Sequence, residues 1–160
     1  MSSYSKSIFR TIAKTFKQES VHFEADEEYG ILDGFFHSNH PAFPIIGVRF
    51  RARRTSFTVQ GCAEAKFDPQ NKELMQRLME FLCRANDKLY FGNFKASFSD
   101  NEVYFYNFVD CSGLNAPTPD MIKLELEIVC KIWERVADGL NAVLNEGADA
   151  KTAADLCEFL

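Results

Sequence analysis

A chain of 160 residues is about one domain long. With 46% apolar and 26% charged residues it has the make-up of a packed globular protein rather than a disordered segment. A net charge of −5 and a pI near 5.2 argue against a general nucleic-acid binder, which needs a basic surface. No apolar run approaches the roughly 20 residues of a membrane helix, so no membrane partner is expected. Phe occurs 16 times. Its ring supplies area for cores and interfaces but no proton or nucleophile for catalysis. Five cysteines without a CxxC pair read as free thiols in a reducing, cytoplasmic compartment.

The first element is a helix over about residues 5–19, with Ile8, Phe9, Ile12, Ala13 and Phe16 on one face and the lysines opposite. Lys6, Arg10, Lys14 and Lys17 precede any acid, a composition that also suits a mitochondrial transit peptide; no secretory signal follows the start. A first strand spans Tyr29 to Phe36, weakened by Gly30 and Gly34, and Ser38 to Pro41 is a loop. Clean alternation follows. Ile46, Val48, Phe50 and Ala52 face one way and Arg49, Arg51 and Arg53 the other. After a tight turn at Arg54-Thr55, Phe57, Val59, Gly61, Ala63 and Ala65 alternate with Ser56, Thr58, Gln60 and Glu64, so this hairpin has one wet side.

Asp68-Pro69 predicts the start of a second helix, with Asp68 as N-cap, whose stripe is Leu74, Leu78, Phe81, Leu82 and Ala85. A second hairpin runs over about Tyr90–Ser97 and Glu102–Asp110. Val103, Phe105 and Val109 point to one face and Tyr104, Tyr106 and Phe108 to the other, so both faces are apolar. Thr118-Pro119-Asp120 starts the last long helix. Ile122, Leu126, Val129, Trp133, Val136, Leu140 and Val143 form its main seam, and Leu124, Ile128 and Ile132 a second stripe. Gly139 and Gly147 punctuate its end, and Ala153, Leu156 and Phe159 suit a short helix in a tail at 148–160.

The resulting order is α-βββ-α-ββ-α: an α+β domain over residues 1–147, with one mainly antiparallel five-stranded sheet and helices packed against it. The segment from Gly30 to Leu144 resembles a YbjN-type domain, also labelled a bacterial sensory transduction regulator. The resemblance rests on three strands leading into a helix that ends LMEFLCRAND (Leu78 to Asp87), on the strand YFGNFKASF (Tyr90 to Phe98), and on its mate VYFYNFVDCSGL (Val103 to Leu114), followed by a long helix from Thr118. It implies the fold of the type III secretion chaperones, an α+β sandwich that commonly dimerises. It implies no catalytic signature.

Three sets of residues could carry function. Arg49, Arg51 and Arg53 share one sheet face and would suit phosphate, nucleic acid or an acidic partner, or else a solvated face paired across strands with Asp33 or Glu64. The row Tyr104, Tyr106 and Phe108, with Leu124, Ile128 and Trp133 of the last helix, is surplus to a one-sided core and predicts a protein interface or a homodimer. Cys111 and the His37/His40 loop offer a nucleophile and a metal pair only weakly, because no base or third ligand lies at matching spacing. GxGxxG, Walker, GxSxG and HExxH motifs are absent from the sequence. The expectation is a non-enzymatic, chaperone-like interaction module with no cofactor, no metal, and nucleic acid an improbable partner; the alternative is a regulator binding an anionic ligand or nucleic acid through the three arginines.

Overall fold

A computed structural model describes residues 4–158. The elements run α1 (Lys6–Gln18), β1 (Phe23–Asp26), β2 (Ile31–His37), β3 (Ile45–Ala52), β4 (Ser56–Lys66), α2 (Lys72–Asn86), β5 (Asn93–Ser97), β6 (Glu102–Asp110), α3 (Pro119–Asn145) and α4 (Ala150–Asp155). The strands form one antiparallel sheet in the order β1-β2-β3-β4-β6-β5. It has six strands, where the pattern of alternation predicted five. The extra one, β1, is Phe23-Glu24-Ala25-Asp26, too short and acidic to show alternation; pairing with β2 and the packing of Phe23 edge-on to Phe16 of α1 hold it. Asp26 ends it: the side-chain oxygen accepts from the amides of Glu28 and Tyr29 and turns the chain into β2.

The helices start where capping chemistry permits. Ser5 accepts from the Ile8 amide and Thr118 from the Met121 amide, with Pro119 in the first turn of α3. For α2 the cap is Asn71, which accepts from the Leu74 amide, and not Asp68. Asp68 instead closes a turn on the Gln70 amide, which delays the helix past Pro69. Gly139 does not end α3. It lies inside the helix and is buried, because a Cβ there would run into the Ala153 carbonyl and stand 2.5 Å from the Cys157 sulfur. The small residue lets α4 seat on α3, and buried Ala150 and Ala153 make the tail part of the core. Phe159, expected on the same tail helix, lies outside the described residues.

One face of the sheet carries the core. Leu32, Ile46, Val48, Phe50, Ala52, Phe57, Val59, Ala63, Phe94, Val103 and Phe105 are buried there under the helices. Phe16 of α1 meets Phe50 at 5.0 Å between ring centroids, and Trp133 of α3 meets Phe94 at 5.2 Å. At Gly61 the helix comes closest: a Cβ would stand 2.6 Å from Val129 Cγ1 and 2.8 Å from Trp133 Nε1. The 27 residues of α3 reach about 40 Å at 1.5 Å per residue, enough to span the sheet.

Both sheet edges are blunted. β1 is four residues long and carries Glu24 and Asp26. β5 is closed by Asn86 at the end of α2. Its side-chain amide donates to the Phe94 carbonyl at 3.0 Å and accepts from the Phe94 amide at 2.7 Å, standing in for a further strand.

Candidate functional site

The other sheet face has no helix on it among the described residues. Register sets its side chains in rows across the strands. One row reads Ile31, Arg51, Thr58, Phe108; the next Asp33, Arg49, Gln60, Tyr106, Asn93; the third Phe35, Gly47, Cys62, Tyr104, Lys95. The arginines of β3 and the aromatic row of β6 therefore lie on the same face, two strands apart, with β4 between them.

Arg49 is already engaged. Its Nε and a terminal nitrogen reach the two Asp33 oxygens at 2.7 and 2.8 Å, a planar fork between neighbouring strands. The hydrogen bond to Asp33 is the largest cause raising the Arg49 guanidinium above its ordinary value. Glu64, the other acid that alternation places on the polar face, takes no part: it sits in a bulge of β4 at φ +55°, where its amide donates to Glu102. Arg51 is half-buried beside Thr58, and Arg53 is exposed in the β3–β4 turn; neither side chain has a partner among the described residues. Phe108 is 55% exposed and Phe35, on the same face, 46%. Tyr104 and Tyr106 are half-buried, and the Lys95 ammonium stands 3.8 Å over the Tyr106 ring. Burial raises the Tyr104 hydroxyl above its usual range.

Beside Tyr104 the face is concave. Gly47 has no side chain, and the nearest atom to a Cβ there is the Cys62 carbonyl oxygen at 3.5 Å. A hollow of about 400 Å³ lies on one side of Cys62, between Arg49, Glu102 and Tyr104, and another of about 430 Å³ lies on the other, between Pro44, Ile45 and Ala63. Alternation shows which residues share this face, but nothing in the sequence marks the hollow.

The three residues of the last helix lie in different environments. Leu124 is exposed and Ile128 half-buried on the outer side of α3. Trp133 is core and offers no surface to a partner: it is 1% exposed, wedged between Phe43, Phe94 and Gly61. The long seam of α3 faces the sheet and not the solvent. Leu124 and Ile128 also stand on the helix layer, so they do not continue the Tyr104 row, which lies across the sheet from them.

Cys111 is buried where β6 ends, and burial raises its thiol above the ordinary value. Burial also pushes Cys62, Cys130 and Cys157 up to about 11 each. None of these four sits where a thiolate would form readily at neutral pH. The two loop histidines do not converge. His37 lies at the end of β2 with its ring edge-on to Phe35, while His40 stacks on Phe43 and its Nε2 is 2.9 Å from an Asp138 oxygen of α3. The His40 Nδ1 accepts from the Ala42 amide, so Nε2 carries the proton and donates to Asp138. Among the described residues no three His, Cys, Asp or Glu side chains gather as a metal ion would need, and no helix is long and apolar enough to cross a membrane.

Nothing in the sequence pattern marks one buried polar pair as a pair. Glu125 of α3 is 7% exposed and accepts from the Asn107 side chain of β6 at 2.7 Å. Burial raises its carboxyl above the usual range, and the Asn107 bond works the other way. Each residue is a polar break in an otherwise apolar face, Asn107 between Phe105 and Val109 and Glu125 beside Ile122 and Leu126. Compared with known proteins, the chain matches no family model, no curated protein and no solved structure.

Proposed function

We propose that the protein is a non-enzymatic, chaperone-like interaction module of the cytoplasm that binds a partner segment on the uncovered sheet face, and that it is a homodimer or pairs with another protein through that face. One observation carries this reading: Phe108, Tyr104 and Tyr106 stand in a row on a face that no helix covers among the described residues. Six strands of 4 to 11 residues, about seven on average at about 3.3 Å each, with gaps of about 4.8 Å between neighbours, make a face of roughly 600 Å² from first strand to last. Two such faces bury on the order of 1,200 Å², the low end of specific interfaces and suited to a regulatory contact. The resemblance to YbjN-type domains supports the same reading, and the five free cysteines support a reducing compartment. The anionic-ligand alternative is weakened at Arg49, whose fork Asp33 occupies, and rests on Arg51 and Arg53.

Capture from native lysate, read together with sedimentation equilibrium at micromolar concentration, tests this. Phe108→Ala is expected to weaken the complex or dimer by about 1–4 kcal/mol, as for a buried aromatic anchor. Arg51→Glu is expected to slow association and change its salt dependence. Loss of binding in Arg51→Glu with Phe108→Ala unchanged would refute the aromatic face and favour an anionic ligand. A steep fall of binding with salt, on a nucleic-acid probe, would point the same way.

A further inference from the structure

Away from the uncovered sheet face, a separate cavity of about 230 Å³ opens between the α2–β5 loop and the outer side of α3. Its apolar walls include Leu89, Phe91, Ile128 and Ile132. Its charged lining is Lys88, Lys131 and Arg135, with no acid among the residues that line it. In a chain with 23 acidic and 18 basic residues, such a one-signed lining is unusual. Lys88 and Arg135 have no side-chain partner among the described residues, and Lys131 has only a long 3.4 Å approach to Glu127.

The loop beside the cavity is pinned and not frayed. Tyr90 is 90% exposed and Phe91 57%, yet the backbone on either side is fixed. The Lys88 and Leu89 amides donate to the Ala85 and Asn86 carbonyls, and Asn86 clamps Phe94. Gly92 turns the chain at φ +62°, where any Cβ would collide with the Phe105 ring. Two large rings thus stand in water on a short segment whose backbone is anchored on either side, an arrangement suited to a binding surface. The cavity is smaller than the roughly 300–1,000 Å³ of cofactor and small-molecule sites, and suits a single anchoring side chain.

We infer that this cavity binds a short acidic segment of a partner protein, with one large apolar side chain seated between Phe91 and Ile128 and flanking Asp or Glu residues against Lys88, Lys131 and Arg135. The site lies on the helix layer and is independent of the sheet face.

The test is a random heptapeptide display library panned against the full chain, with the Lys131→Glu/Arg135→Glu double variant as counter-selection. Enriched peptides are expected to carry Phe, Leu or Trp flanked by at least two acidic residues. Fluorescence anisotropy on the most enriched synthetic peptide should show at least tenfold weaker binding to the double variant and to Phe91→Ala, and tighter binding as salt is lowered. Arg51→Glu, on the sheet face, should leave this affinity unchanged, so failure here is distinguishable from failure of the sheet-face reading. Circular dichroism checks the folding of each variant. Lys131→Glu alone, at an exposed helix position, supplies the same test if the double variant does not fold. No enrichment, enrichment of peptides without acids, or binding that survives both variants overturns the inference.

Discussion

Two glycines on opposite faces of the sheet should answer in opposite ways to the same added methyl group. Neither Gly47 nor Gly61 has a positive φ, so neither needs glycine for its backbone. Replacing either by Ala lowers the entropy of the unfolded chain, a stabilisation of about 0.4–1 kcal/mol where the native conformation accepts the side chain. At Gly47 it does, since the nearest atom to the new Cβ is 3.5 Å away on an uncovered face. At Gly61 the same Cβ stands 2.6 Å from Val129 Cγ1 and 2.8 Å from Trp133 Nε1, and both those residues are fully buried with no free direction to move. Overpacking of this kind costs about 1–3 kcal/mol, which outweighs the entropic gain. Gly47→Ala should therefore be neutral to stabilising, and Gly61→Ala less stable than Gly47→Ala by about 1–3 kcal/mol. Urea titration followed by fluorescence of the single tryptophan, Trp133, measures both. The midpoints should move apart at unchanged m-value. If Gly61→Ala is as stable as Gly47→Ala, α3 does not seat on Gly61 and the assignment of covered and uncovered faces is wrong.

Glu125→Gln should flatten the pH dependence of stability. Burial raises the folded pKa of Glu125 above its ordinary value of 4.5, so the folded state binds its proton longer than the unfolded chain, and this group's favourable contribution, full below 4.5, is lost as pH rises through the folded pKa. The variant should gain stability relative to the parent at pH 7; parallel stability–pH curves would refute the buried carboxyl. Asn86→Ala should cost about 1–3 kcal/mol, because it leaves the Phe94 amide and carbonyl unpaired at the sheet edge. Hydrogen exchange at the Phe94 amide should speed up, and unchanged protection would show that the clamp does not hold in solution. With a disulfide reagent at pH 7, exposed Cys83 should react first and buried Cys111 only on unfolding. Fast modification of native Cys111 would reopen the nucleophile reading.

Side-chain period by itself determined most of the elements and their faces. The α2 stripe of Leu74, Leu78, Phe81, Leu82 and Ala85 is buried in full, and β6 begins and ends where alternation put it, because a strand that separates two residue sets writes that separation into every second position. The cap at Thr118 was legible for the same local reason, since it needs only its own next three residues. β1 was not legible, because four residues held by a neighbour carry no period of their own. Period also showed that β6 has two apolar faces without showing which one the helices would take. That choice rests on where α3 can approach closely, and Gly61 admits it on one side only. Tertiary packing alone therefore sent Trp133 into the core, left Phe108 in solvent, joined Asn107 to Glu125, and set Arg49 against Asp33, since each outcome depends on residues far apart in the chain meeting at one place.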